Sequence, residues 1–249
     1  MGKNNNNSPL EETTNEKILN DLKTFVTQMN NLESLRLPQR AYTIIRHAIR
    51  NLVLPPGRTI LEREVAEALG MSRTPVREAL VRLEMDDALE LIPRRGFFVA
   101  EIEIGDLNDI YRMNAALDGL AIEIAASNID DKEIDNLEEI VNQQEITIEK
   151  GKIKEWAKSD DEFHYRIIEL SQNDSLNKVL DIYSDKLFRA RLFTIDYRPI
   201  PKRSILEHKA MISCLRAQDG KAARNVMESH RQRAHKEIIK ALETINQNK

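Results

Sequence analysis

Apolar residues recur at helical spacing along most of the chain, with one short interruption. Val65, Ala66 and Leu69 share one face, and Val76, Ala79, Leu80 and Leu83 share another. Two helices are expected there, one starting near Glu62 and one just after Ser72. Gly70 between them suits a left-handed stop, and Ser72 is a good N-cap. Pro75 falls in the first turn, where its missing N–H costs little. Leu89–Ile92 and residues 97–100 then read as two short strands joined by a turn at Arg94, Arg95 and Gly96. Upstream, a helix is expected over about residues 39–52, ended by Pro55, Pro56 and Gly57. Past Glu101 the strand signals vanish. Six helical stretches follow, at 106–127, 132–150, 153–171, 175–194, 203–218 and 220–244, with short polar or glycine-bearing breaks. Short connections favour antiparallel neighbours. The expected fold is mainly α: a helix-turn-helix unit with a small β wing, then an all-α antiparallel helical bundle.

The outward positions of the first unit suggest its chemistry. Arg73, Thr74 and Arg77 face away from the apolar side near the start of their helix. A recognition helix meets base edges with that end, and arginine forks pair with guanine or clamp phosphate. Arg63 opens the preceding helix, within reach of a backbone, and Arg94 and Arg95 form a basic hairpin tip. The plainer alternative is an ordinary helical hairpin with solvated charges. The glycine turn, capped helix, outward arginines and basic hairpin together favour a DNA-reading head.

This stretch resembles the winged-helix head of GntR-type bacterial regulators. The likeness extends back through Tyr42-Thr-Ile-Ile-Arg-His-Ala-Ile-Arg50 and Leu54-Pro-Pro-Gly57, and so covers about residues 37–100. It implies that Arg63, Ser72, Arg73, Thr74, Arg77 and Gly96 occupy DNA-contacting positions. Asn51 departs from the pattern, which often has glycine there.

The expected divisions are 1–33 as a tail with an extra amphipathic helix, 34–102 as the DNA-binding domain, and 103–249 as the helical effector domain. Residues 1–8 are asparagine-rich and expected to be disordered. Ile18, Leu22, Phe25, Val26 and Met29 then share a helical face that must be covered by this chain or by a partner. Net charge is -4 over 249 residues, at first sight wrong for a DNA binder. The segment 34–100 resolves this, with eleven arginines, no lysine and eight acids, hence +3 against -7 for the rest. A basic head on an acidic body is the asymmetry expected when one part approaches nucleic acid. No run is long and apolar enough to span a bilayer, and the N-terminus shows no signal peptide. The single cysteine, Cys214, fits a reducing cytoplasm and should be a small core residue.

In the third bundle helix Trp156, Asp160, Phe163, His164 and Ile167 lie on one stripe. His208 shares a stripe with Ile205, Ile212 and Leu215, and His230 with Ala223, Val226, Met227 and Ala234. Charged or polar groups on buried faces need partners. One Asp and three His make a good first shell for a divalent transition metal: zinc, nickel, copper or iron by the imidazoles, with manganese tolerated by the carboxylate. Hydrogen-bonded core histidines are the plainer alternative. His235 sits at the edge of its stripe, and Asp161 lies off the face.

Residues from 106 to about 230 look like the FCD class of effector domains. The carrying residues are Asp160-Asp-Glu-Phe-His164, Ser171-Gln-Asn173, Glu207-His208 and the run from Asp219 to His230. The resemblance implies that Asp160, His164, His208 and His230 are metal ligands; from the donor set, zinc or nickel is expected first, with manganese or iron also accommodated. It also implies a small carboxylate effector beside the metal. Where this class often carries arginine and glutamate, the chain has Asn114 and Asp118. Asn114, Arg189, Arg191 and Asn173 are the candidate effector contacts. The expected function is a homodimeric, cytoplasmic transcription regulator, a repressor, reading a short pseudopalindromic operator in double-stranded DNA. The competing functions are a metalloenzyme, which no catalytic motif supports, and a constitutive DNA binder with a structural metal.

Overall fold

The computed structural model describes residues 19–29 and 32–248. The asparagine-rich start and Ile18 lie outside them. The chain divides into two compact units, with the boundary between Ile102 and Glu103.

In the first unit, residues 19–27 form α1. Then come α2 (Leu37–Arg50), β1 (Thr59–Ile60), α3 (Glu62–Leu69), α4 (Arg73–Met85), β2 (Leu89–Ile92) and β3 (Gly96–Val99). Gly70 ends α3 in the left-handed region, at φ 62°. Ser72 holds the N-cap position of α4 with extended backbone, but its hydroxyl makes no capping bond. At the end of α2 the Asn51 amide donates to the His47 carbonyl at 2.8 Å. The left-handed turn passes to Leu52, at φ 60°. Asn51 thus closes the helix with a side-chain bond where a glycine would close it by backbone freedom.

The wing has a third strand that the sequence does not announce. β3 lies between β1 and β2, antiparallel to both. Two residues are too few for an alternation signal. The extra strand explains Gly96, which sits at φ 100°; a Cβ there would stand 2.7 Å from the Ile60 carbonyl oxygen.

Leu22 of α1 is fully buried in the same core as Ile44, Ile45, Val76, Leu80, Leu83 and Val99. Phe25, Val26 and Met29 pack around it, and Lys23 approaches Glu67 of α3 at 3.4 Å. The amphipathic face is therefore covered by this chain's own head. Burying a leucine contributes about 1.5–3 kcal/mol, so α1 is an integral part of the unit.

The second unit is helical: α5 (Ile104–Asn128), α6 (Asp131–Glu149), α7 (Ile153–Leu170), α8 (Asp174–Phe193), a 3-10 turn (Ile195–Tyr197), α9 (Lys202–Arg216) and α10 (Gly220–Gln247). The polar breaks in the sequence act as caps. Asp130, Asn173 and Asp219 each accept a first-turn N–H, from Glu133, Leu176 and Ala222. Such bonds satisfy donors that the helix itself cannot. α10 runs the length of α5, α9 packs on α6 and α10, and α7 touches α5, α6 and α8. Phe163, Ile122, Ile134 and Leu137 are fully buried at the centre. Cys214 is half-buried at the edge of this core rather than inside it.

Candidate metal centre and nucleic-acid interface

In the head, helix spacing sorts α4 into two faces. Pro75, Val76, Ala79, Leu80 and Leu83 are buried. Ser72, Arg73, Thr74 and Arg77 are exposed at the helix start. The first turn holds no acidic residue, so the positive end of the helix dipole is not neutralised there. Arg63 is exposed at the second position of α3, and Arg94 and Arg95 are exposed in the turn before β3. Arg94 takes φ 67° in that turn.

In the bundle, α7 brings Asp160 and His164 inward, α9 brings His208 and α10 brings His230. All four are buried, and their ligand atoms lie within 4.8 Å of one another. His164 Nε2 and His230 Nε2 are 3.2 Å apart. His208 Nε2 is 3.7 Å from Asp160 Oδ1. Two imidazoles bound to one zinc at about 2.0–2.1 Å would hold their nitrogens about 3.0–3.4 Å apart, so the spacing fits.

The surrounding groups aim the rings. Gln144 is fully buried; its amide N–H donates to the Ser159 carbonyl. Its oxygen therefore accepts from His208 Nδ1, at 2.8 Å. Glu207 accepts from His230 Nδ1 at 2.7 Å and is held in turn by Arg233. With Nδ1 of both rings committed as donors, both Nε2 atoms present lone pairs to the centre. His208 Nε2 is buried without any other partner among the described residues. An outer ring of this kind is what metal-ligating histidines use to fix tautomer and orientation. Phe163 stacks on His208, ring centres 4.3 Å apart. These residues fit a divalent transition metal.

Burial, followed by neighbouring positive groups, holds the His164 and His208 imidazoles well below their usual range. His230 is lowered by burial too, with Glu207 opposing. All three rings are thus neutral, as ligation requires. For Glu207 burial works upward, but the bonds from His230 and Arg233 hold it down at about 2.

The histidines predict a pH dependence. Their folded pKa values lie below the unfolded value of about 6.5, so between the two the unfolded chain binds more protons. Stability of the metal-free protein should be full above that value and fall as pH drops through it. Each group contributes a slope of at most about 1.4 kcal/mol per pH unit. Thermal midpoints of chelator-treated protein between neutral and mildly acidic pH check this; a flat profile would contradict the burial of neutral imidazoles.

A cleft of about 210 Å³ adjoins the cluster, reached by Asp160 and His230. Tyr111, Trp156, Arg191, Arg198, Arg231 and Arg233 also line it. Of the candidate effector contacts only Arg191 is on its wall, with Nη1 3.4 Å from Asp160 Oδ2 and a further bond to Asp161. Asn114 does not line the cleft. It stands behind, donating to Asp118 at 2.6 Å, and Asp118 holds Arg231 Nε at 2.7 Å. Asn173 does not reach it either, being spent as the cap of α8, and Arg189 is buried away from the wall. An arginine's position on α8 is not enough, because residues two apart on a helix point to nearly opposite sides.

Residues that the sequence reading passed over include Gln144, Arg231, Arg233 and Arg198. Gln144 falls on the apolar stripe of Leu137, Val141 and Ile148, and Arg231 on that of Met227, Ala234 and Ile238. A lone polar residue on a buried stripe was the available signal for both. Arg198 lies in irregular chain, where no periodicity marks it.

The comparisons with known proteins agree with this division. Residues 37–99 match the model for bacterial regulatory proteins of the gntR family, and residues 109–233 match the FCD domain. The HTH-type transcriptional repressor RspR of Escherichia coli K12 is 27% identical over 224 residues, covering 90% of this chain and 96% of the relative. The Nta operon transcriptional regulator of Aminobacter aminovorans is 38% identical over 138 residues, 55% of this chain and 64% of the relative. The structure of E. coli McbR/YncC shares the fold with a TM-score of 0.71 at 24% identity, covering 80% of this chain and 95% of that one. The chain belongs to the gntR family of bacterial regulatory proteins, with a winged-helix head and an FCD domain, and is a transcriptional regulator.

Proposed function

We propose that the protein is a cytoplasmic, homodimeric repressor. It binds a short pseudopalindromic operator and releases it when a small anionic effector binds beside a divalent metal. The observation that carries this is the convergence of four buried ligand atoms next to an arginine-lined cleft. Asp160, His164, His208 and His230 would hold the ion, zinc or nickel by preference and manganese or iron within tolerance. When bound, the ion supplies a positive centre, of which one carboxylate leaves about one unit of charge. The chain's own residues do the rest. Gln144 and Glu207 keep the ring lone pairs directed inward, and Arg191 and Arg231 add positive charge to the wall. Asn114 acts through Asp118, by positioning Arg231.

At the head, Arg73, Thr74 and Arg77 meet base edges. Ser72, Arg63, Arg94 and Arg95 contact phosphates, and Gly96 allows the wing its tight approach. The similarity to RspR, a transcriptional repressor, supports the direction of control. An effector shifts operator affinity only by its differential affinity for two arrangements of the protein, with a usual coupling of about 1–3 kcal/mol, or roughly 5–150-fold.

Operator titration of metal-loaded wild type and His164→Ala protein, with and without simple carboxylates, tests the proposal. Wild type should lose operator affinity with an effective acid, and the variant should not respond. A wild type that binds its operator equally with every acid would instead be a constitutive binder with a structural metal.

A further inference from the structure

We infer that His164 is the one ligand of the cluster that is not preset: without an ion it turns a hydrogen toward the centre, and it changes tautomer when the ion arrives. This rests on the metal site proposed above and deepens it.

The four residues differ in what holds them. Gln144, itself tied to the Ser159 carbonyl, takes the Nδ1 hydrogen of His208 at 2.8 Å. Phe163 stacks on the same ring, centres 4.3 Å apart. Glu207 takes the Nδ1 hydrogen of His230 at 2.7 Å and is gripped in turn by Arg203 and Arg233. Asp160 stands with Oδ2 3.4 Å from Arg191 Nη1. His164 has no such anchor. Its Nδ1 is buried with no hydrogen-bond partner among the described residues. Phe163 and His208 meet its ring only edge-on.

A neutral imidazole carries one hydrogen, and the bond made by one nitrogen decides the state of the other. In His208 and His230 the hydrogen is spent on Nδ1, so both Nε2 atoms bring lone pairs. The Asp160 carboxylate brings only lone pairs as well. Three acceptors therefore converge on the centre. The contact between His164 Nε2 and His230 Nε2, at 3.2 Å, needs a donor, and only His164 can supply it. Its hydrogen is thus on Nε2, and its buried Nδ1 is bare. A metal ion takes lone pairs. For His164 Nε2 to become a ligand, its proton passes to water while Nδ1 takes one up from water. The ring stays neutral, and it releases no net proton. The new Nδ1 hydrogen then lacks an acceptor among the described residues, a cost that His208 and His230 do not bear. Outer partners of the kind those two have are worth about 10–100-fold in metal affinity, so His164 is the weakest-held ligand.

Long-range proton–nitrogen NMR correlations of histidine-labelled protein read each ring's tautomer directly. The chain has five histidines, and single histidine variants assign them. In chelator-treated protein His208 and His230 should carry their hydrogen on Nδ1 and His164 on Nε2. One equivalent of zinc should move only the His164 hydrogen, to Nδ1. In competition with a coloured chelator, His164→Ala should lose at least about tenfold less zinc affinity than His208→Ala. Gln144→Leu should weaken zinc by about 10–100-fold and release His208 into a mixture of tautomers. Gln144→Glu, which keeps an acceptor for Nδ1, should keep the His208 tautomer. A His164 hydrogen already on Nδ1 without metal, or one that stays on Nε2 with zinc bound, overturns the inference and leaves the metal site standing. Equal losses in the His164 and His208 variants do the same. If zinc alters none of the three rings, the metal site itself falls, and the tautomer change with it.

Discussion

Stripping the divalent metal should lower the thermal midpoint of the bundle by about 10 °C. The reasoning starts from the buried cluster. Without an ion, His208 Nε2 has no hydrogen-bond partner among the described residues and His164 Nε2 can only share a proton with His230. A ligand present at about a thousand times its Kd adds about 4 kcal/mol to the folded state. For a unit of this size each kcal/mol is worth about 2–4 °C. Elemental analysis should find near one metal per chain. His208→Ala should lose most of it, because Gln144 and Phe163 orient that ring toward the centre. His235→Ala should keep the metal, since His235 bonds Asn108 and stacks on Tyr111 instead. Full metal retention in a protein lacking His164, His208 and His230 together would refute the site.

Arg73→Ala and Arg77→Ala should each weaken operator binding by about 1–3 kcal/mol if they read bases bidentately. Both side chains are exposed at the start of α4, beside a first turn free of acids. Being exposed, they should change folding stability by no more than about 0.5 kcal/mol. Loss of affinity would then report contact, not unfolding. Arg95→Ala should act differently: it should reduce the salt slope by about one and weaken all sequences alike, as a phosphate contact does. Gel-shift or anisotropy titrations at several salt concentrations separate the two behaviours. Unchanged affinity in both Arg73→Ala and Arg77→Ala proteins would displace the recognition surface from α4.

Much of this molecule was legible in one dimension because helices impose a period. The spacing of Val76, Ala79, Leu80 and Leu83 sets which side of α4 is buried, and so leaves Arg73 and Arg77 outside. The same rule places Asp160 and His164 on the buried stripe of α7, with Trp156 and Phe163. Asp130, Asn173 and Asp219 mark their helix starts because a short polar side chain satisfies N–H groups that nothing else reaches. Even the departure at Asn51 has a local explanation, in its bond to His47.

What periodicity does not carry is the identity of the neighbour across a gap. Strand β1 is two residues long and exists only because β3 offers it a ladder. The face of α1 needed a partner, but its pattern is equally compatible with this chain or another; packing around Leu22 decided for the head. Asn173, Arg189 and Arg191 looked equivalent as polar groups near α8, yet only Arg191 reaches the cleft. Arg198 belongs to no repeating element, so only the folded chain shows it facing that space. Sequence by itself determined which side chains turn inward, since that depends on the rise and twist of one helix. Tertiary structure decided which inward groups meet, since that depends on how separate helices, distant in the chain, are packed against one another.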